Sequence, residues 1–125
     1  LKLIRAFRES IGHIPLVLKT QHPAYVFTNM LNALNGAALD LAVNNVASVE
    51  DIDRAWTGVM KTIVGPFGIL DFVGLDLAWQ IAEQFSKLSG DPQIQARADF
   101  IKQYVDKGWL GVKSGRGFYS YTAPT

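Results

Sequence analysis

The run that opens at Pro23-Ala24-Tyr25-Val26 and closes near Asn44-Asn45 constrains this chain more than any other stretch. It holds no proline after Pro23, and its one glycine is Gly36. At about 100° per residue, Val26, Phe27, Met30, Ala33, Leu34, Ala37, Ala38 and Leu41 cover one wide arc. Thr28, Asn29, Asn32, Asn35, Gly36 and Asp40 take the other side. A helix with so much apolar surface is expected inside a bundle. Its polar strip carries uncharged hydrogen-bonding groups in place of the Lys and Glu of a solvated face, so a functional surface is expected there. The same strip, Thr28-Asn29-Asn32-Asn35, also reads as a structural seam that satisfies neighbouring loops.

The rest of the composition narrows the function classes. The chain has 125 residues, 49% of them apolar, enough for one domain with a real core. A net charge of +1 with Lys and Arg spread along the chain argues against a nucleic-acid surface. The absence of cysteine removes disulfides, thiolate catalysis and Cys-based metal sites, and is compatible with the cytoplasm. No apolar run approaches the roughly 20 residues of a membrane span, and the N-terminus lacks a signal-peptide pattern. Leu1 opens in mid-pattern, as expected of a piece cut from a longer chain.

Residues 1–10 read as a short helix with Leu3, Ile4 and Phe7 on one side, ended by Gly12. Residues 14–19, Ile-Pro-Leu-Val-Leu-Lys, read as a buried strand. One strand forms no sheet, so it either pairs with another copy or belongs with strands outside this sequence. After the long helix, Ser48 caps a helix whose first-turn acids suit the positive end of its dipole. Its apolar stripe is Ile52, Ala55, Trp56 and Val59. Gly65-Pro66 breaks the chain and starts another helix. Gly74 interrupts, and a helix restarts near Asp76 and ends before Gly90. Asp91-Pro92 opens the last helix, which Gly108 stops. The tail to Tyr121 reads as loop or a short extended segment. The expected fold is mainly α, about five helices after one strand, with no internal repeat.

Few residues offer chemistry by themselves. His13 and His22 lack a second ligand at metal spacing and read as structural or surface histidines, so no metal site is expected. Glu50, Asp51 and Asp53 sit in a first helical turn, where dipole complementation and capping explain them. Gly115-Arg116-Gly117 lacks the strand–turn–helix setting and the Lys-Ser/Thr pattern of a phosphate loop. The residues taken alone supply no general base, nucleophile or metal.

Several blocks carry a resemblance. They are residues 14–19, Pro23-Ala24-Tyr25-Val26, Ser48-Val49-Glu50-Asp51-Ile52-Asp53, the segment Gly65-Pro66-Phe67-Gly68-Ile69-Leu70-Asp71-Phe72-Val73-Gly74-Leu75-Asp76, and the tail from Gly108 through Lys113-Ser114-Gly115-Arg116-Gly117-Phe118-Tyr119 to Tyr121. In order and spacing the chain resembles the C-terminal helical domain of the L-3-hydroxyacyl-CoA dehydrogenases, including 3-hydroxybutyryl-CoA dehydrogenases. The resemblance implies a helical bundle like the C-terminal domain of 6-phosphogluconate dehydrogenase, with residues 22–125 binding substrate and dimerising. Residues 1–21 would be the last helix and strand of an NAD-binding Rossmann domain that carries the serine, the histidine base and its glutamate. The implied reaction is NAD-dependent oxidation of (S)-3-hydroxyacyl-CoA to 3-oxoacyl-CoA in fatty-acid metabolism, by a cytoplasmic homodimer that binds acyl-CoA. A fragment without the cofactor domain is expected to bind no NAD and to be inactive.

The chain departs from the family on the long helix. Thr28 stands at the position of the catalytic asparagine, Asn29 at that of the arginine that usually follows, and Ala37 at that of a frequent glutamate. A threonine hydroxyl offers one donor and a shorter reach than an amide. Asn32 lies one turn along on the same face and can substitute. Lys113 matches a lysine that approaches the cofactor in the family, and also reads as an exposed loop lysine. Two further readings follow: a non-catalytic dimerisation or assembly module, and a relative with altered substrate.

Overall fold

Breaks written into the sequence set the helix boundaries. The structure is a computed structural model that describes residues 23–121; the expected helix at 1–10, the strand at 14–19, His13 and His22 lie outside the described residues. Five helices follow in order: α1 (Pro23–Val43), α2 (Val49–Met60), α3 (Pro66–Val73), α4 (Leu75–Ser89) and α5 (Pro92–Asp106). Ser48 caps α2 by accepting from the Asp51 N–H at 3.2 Å. Pro66 occupies the first turn of α3, where a missing N–H costs nothing. Asp91 caps α5 by accepting from the Gln93 N–H at 2.9 Å, directly before Pro92. Beyond α5, residues 109–121 form a strap with one 3₁₀ turn (Val112–Ser114) and isolated antiparallel bridges from Arg116 to Gly111 and to Ser120.

The chain divides into two compact units, one ending at Ala33 and one beginning at Leu34. In the first, Tyr25, Phe27 and Met30 are each more than half exposed. In the second, Ala38, Leu39 and Ala42 of α1 join Ile52, Phe67, Leu70, Leu75, Ala78 and Ile101 in one apolar core. Phe67 and Leu75 are completely buried, each stabilising the fold by roughly 1.5–3 kcal/mol.

The orientation of α1 differs from the expectation of an apolar arc turned inward. From Leu34 onward the helix buries Asn35, Gly36, Ala38, Leu39 and Ala42, while Ala37 and Leu41 of the broad apolar arc stay exposed. The polar strip is therefore a packing surface in this half of the helix. Arg97 of α5 is the cause. Its Nε donates to Asp40 Oδ1 at 2.6 Å and its Nη2 to Asp40 Oδ2 at 2.7 Å, and Gln93 Nε2 donates to Asp40 Oδ1 at 3.0 Å. The guanidinium beside it holds the Asp40 carboxyl below the usual carboxylate range. Arg97 lies over Gly36, where a Cβ would sit only 2.7 Å from Nη1. A glycine in mid-helix costs about 1 kcal/mol relative to alanine. A half-buried bidentate ion pair stabilises by about 1.5–3 kcal/mol, so the clamp outweighs the propensity.

Gly36→Ala is expected to lower stability by about 1 kcal/mol despite its better helix propensity. In an Arg97→Ala background the same change is expected to stabilise by a similar amount. Urea unfolding of the four proteins measures the cycle; a stabilising Gly36→Ala in the parent chain would mean that Arg97 does not depend on that space.

Candidate functional site

Two acids that composition leaves anonymous organise the second unit. Asp53, in α2, serves a different helix from the one whose first turn the sequence assigns it to. Its Oδ1 accepts from the Phe67 N–H at 2.8 Å and its Oδ2 from the Gly68 N–H at 3.1 Å. It is thus the anionic cap of α3, whose N-cap Gly65 offers no side chain. Asp71, in α3, is 1% exposed. Its Oδ1 accepts from the Phe118 N–H at 2.9 Å and its Oδ2 from the Tyr119 N–H at 3.1 Å.

The strap completes both carboxylates. Tyr119 donates its hydroxyl to Asp53 Oδ2 at 2.9 Å, and Tyr121 donates to Asp71 Oδ2 at 2.5 Å. Between these anchors Phe118 packs edge-on against Phe67, with ring centroids 4.9 Å apart, and against Tyr104 at 4.6 Å. A Cβ on Gly117 would collide with Asp71 Oδ1, so this glycine lets the backbone lie against a carboxylate, while Gly115 ends the 3₁₀ turn with a left-handed φ of 82°. Burial first, then these hydrogen bonds and the nearby carboxylates, pushes both tyrosine hydroxyls well above their ordinary range. On the strap's outer side Arg116 stacks on Trp109 at 3.8 Å, and Lys107 Nζ lies 4.6 Å from the same ring.

The expected site residues are divided between the two units. Thr28 is exposed and Asn32 half-buried, one turn apart on α1 in the unit that ends at Ala33. Lys113 lies in the 3₁₀ turn of the strap, and its Nζ donates to both Asp76 carboxylate oxygens at 2.7 Å. That bond, the largest influence on it, holds the Asp76 carboxyl below its usual range. Asp53, Asp71 and Asp76 are the residues that reading by motif class missed. The signal was present: Asp71 is the single charge inside Phe67-Gly68-Ile69-Leu70-Asp71-Phe72-Val73, and a charge in an apolar run needs a buried partner. No cluster of three or more His, Cys, Asp or Glu suited to a metal occurs among the described residues. None of their helices is long and apolar enough to cross a membrane.

The sequence profile of the family described as "3-hydroxyacyl-CoA dehydrogenase, C-terminal domain" matches residues 25–121. This chain belongs to that family. It is 32% identical to a probable 3-hydroxybutyryl-CoA dehydrogenase of Bacillus subtilis (strain 168), over 98% of this chain and 42% of that protein. It is 34% identical to a 5-formyl-3-hydroxy-2-methylpyridine 4-carboxylate 5-dehydrogenase of Mesorhizobium japonicum, over 95% of this chain and 39% of the other. Among solved structures, a diketoreductase described for substrate-directed dual catalysis of dicarbonyl compounds matches with a TM-score of 0.72 and 36% identity, over 96% of this chain and 41% of its own. The chain spans about two fifths of the length of each relative. As a 3-hydroxyacyl-CoA dehydrogenase C-terminal domain it is mainly helical, as expected from the sequence.

Asp71→Asn is expected to reduce unfolding free energy by about 3 kcal/mol, because a buried amide oxygen cannot serve three donors as a carboxylate does. Chemical denaturation measures this, and a loss below about 1 kcal/mol would assign the strap's anchorage to its aromatic rings. The tyrosines give a pH signature. A group whose folded pKa lies above its unfolded value near 10 contributes fully below that value and loses its contribution as pH rises further. Denaturation midpoints are therefore expected to hold steady up to about pH 10 and to fall above it. Tyr121→Phe should flatten that alkaline fall; an identical fall in the variant would place its origin elsewhere.

Proposed function

We propose that this chain is the C-terminal half of an NAD-dependent dehydrogenase that oxidises (S)-3-hydroxyacyl-CoA to 3-oxoacyl-CoA in fatty-acid metabolism, a cytoplasmic enzyme. The family match across residues 25–121 carries the reading. In it, residues 1–21 end a Rossmann domain and residues 22–125 close over the acyl-CoA and build a homodimer.

Gly117 is laid against Asp71, and Lys113 is held by Asp76. NAD, which accepts the hydride in such an enzyme, is assigned to the Rossmann domain, with Lys113 as a contact from this half. The contribution of this chain to the chemistry is on α1. The Thr28 hydroxyl donates a hydrogen bond to the substrate's reacting oxygen, and the Asn32 amide supports it from one turn along. Such donors matter where charge develops on the oxygen and little before.

A second reading has its own support: a relative acting on a small hydroxy or keto compound without CoA. Threonine replaces the family's asparagine at position 28. Two similar proteins are named for a pyridine carboxylate and for dicarbonyl compounds, neither a CoA thioester.

The deciding experiment joins this domain to its NAD-binding half and measures NADH formation with (S)-3-hydroxybutyryl-CoA, alongside NADH consumption with a β-diketone. Turnover of the CoA ester is expected. Turnover of the diketone alone would favour the second reading, and turnover of neither would leave a non-catalytic module. In the same protein Thr28→Asn is expected to raise kcat on the short acyl-CoA by roughly tenfold or less, the scale of one improved hydrogen bond. An unchanged or lower kcat would show that Asn32 or a water already serves.

The homodimer reading draws support from exposed apolar side chains. A groove of about 410 Å³ runs between α1 and α2, lined by Leu34, Ala37, Leu41, Trp56, Val59 and Met60 among others. Val59 is 79% exposed, a wasteful arrangement for a lone chain. Self-association is expected in sedimentation at high micromolar concentration, and a strictly monomeric species there would count against the dimer.

A further inference from the structure

We draw no further inference here: the strongest candidate, the apolar groove between α1 and α2 lined by Trp56, Val59 and Met60, belongs to the self-association already proposed, and nothing in the structure shows a different occupant.

Discussion

A buried carboxylate on a short helix holds the second unit in shape. Asp71 accepts from two strap amides and one tyrosine hydroxyl. A charge so deeply buried costs several kcal/mol unless fully hydrogen-bonded, and among the described residues the strap supplies its donors. The strap in turn has one 3₁₀ turn and isolated bridges to order it, so its course depends on the carboxylate. Asp53 repeats the device at the start of α3 and reaches the same strap through Tyr119. Three sequence blocks that carry the family resemblance thus meet in space, Asp53 from the first, Phe67, Gly68 and Asp71 from the second, Phe118, Tyr119 and Tyr121 from the third. Their shared pattern is accounted for by hydrogen bonds that hold the domain together.

The long helix divides its work differently from the simple amphipathic picture. Its polar strip beyond Leu34 is a packing surface, made close by Gly36 and fixed by the Asp40–Arg97 pair. Asn35 of the strip is buried there, and its Oδ1 has no hydrogen-bond partner among the described residues. The apolar arc beside it stays open at Ala37 and Leu41 and becomes one wall of a groove. Hydrophobicity alone ranks that arc first for burial. A bidentate, charge-assisted contact across a glycine outranks it because it fixes both the distance and the rotation of the helix.

Local signals were legible where one residue decides the outcome. Ser48, Pro66 and Asp91 mark helix starts, and the helices begin beside them, since capping and proline geometry act within a single turn. The acids of the first turn of α2 were legible only in part. Asp51 stays local, paired with Arg54 at 3.1 Å, whereas Asp53 serves a helix fourteen residues on. No periodicity distinguishes those two fates, because they depend on what lies across the fold. Lys113 shows the same limit: a loop lysine by position, it becomes half of an ion pair through Asp76, thirty-seven residues earlier.

The sequence by itself determined a mainly helical domain, its five helices and their breaks, and the blocks that place it among the 3-hydroxyacyl-CoA dehydrogenases. Those properties follow from backbone propensity, capping and residue order, all of which are read within a few residues or along the chain. Tertiary structure alone decided which face of α1 beyond Leu34 is buried, which acids become caps for distant backbone, and why Gly117 leaves no room for a side chain. Each of those outcomes rests on a contact between segments far apart in the chain, where distance and burial set the energy and sequence spacing carries no record of either.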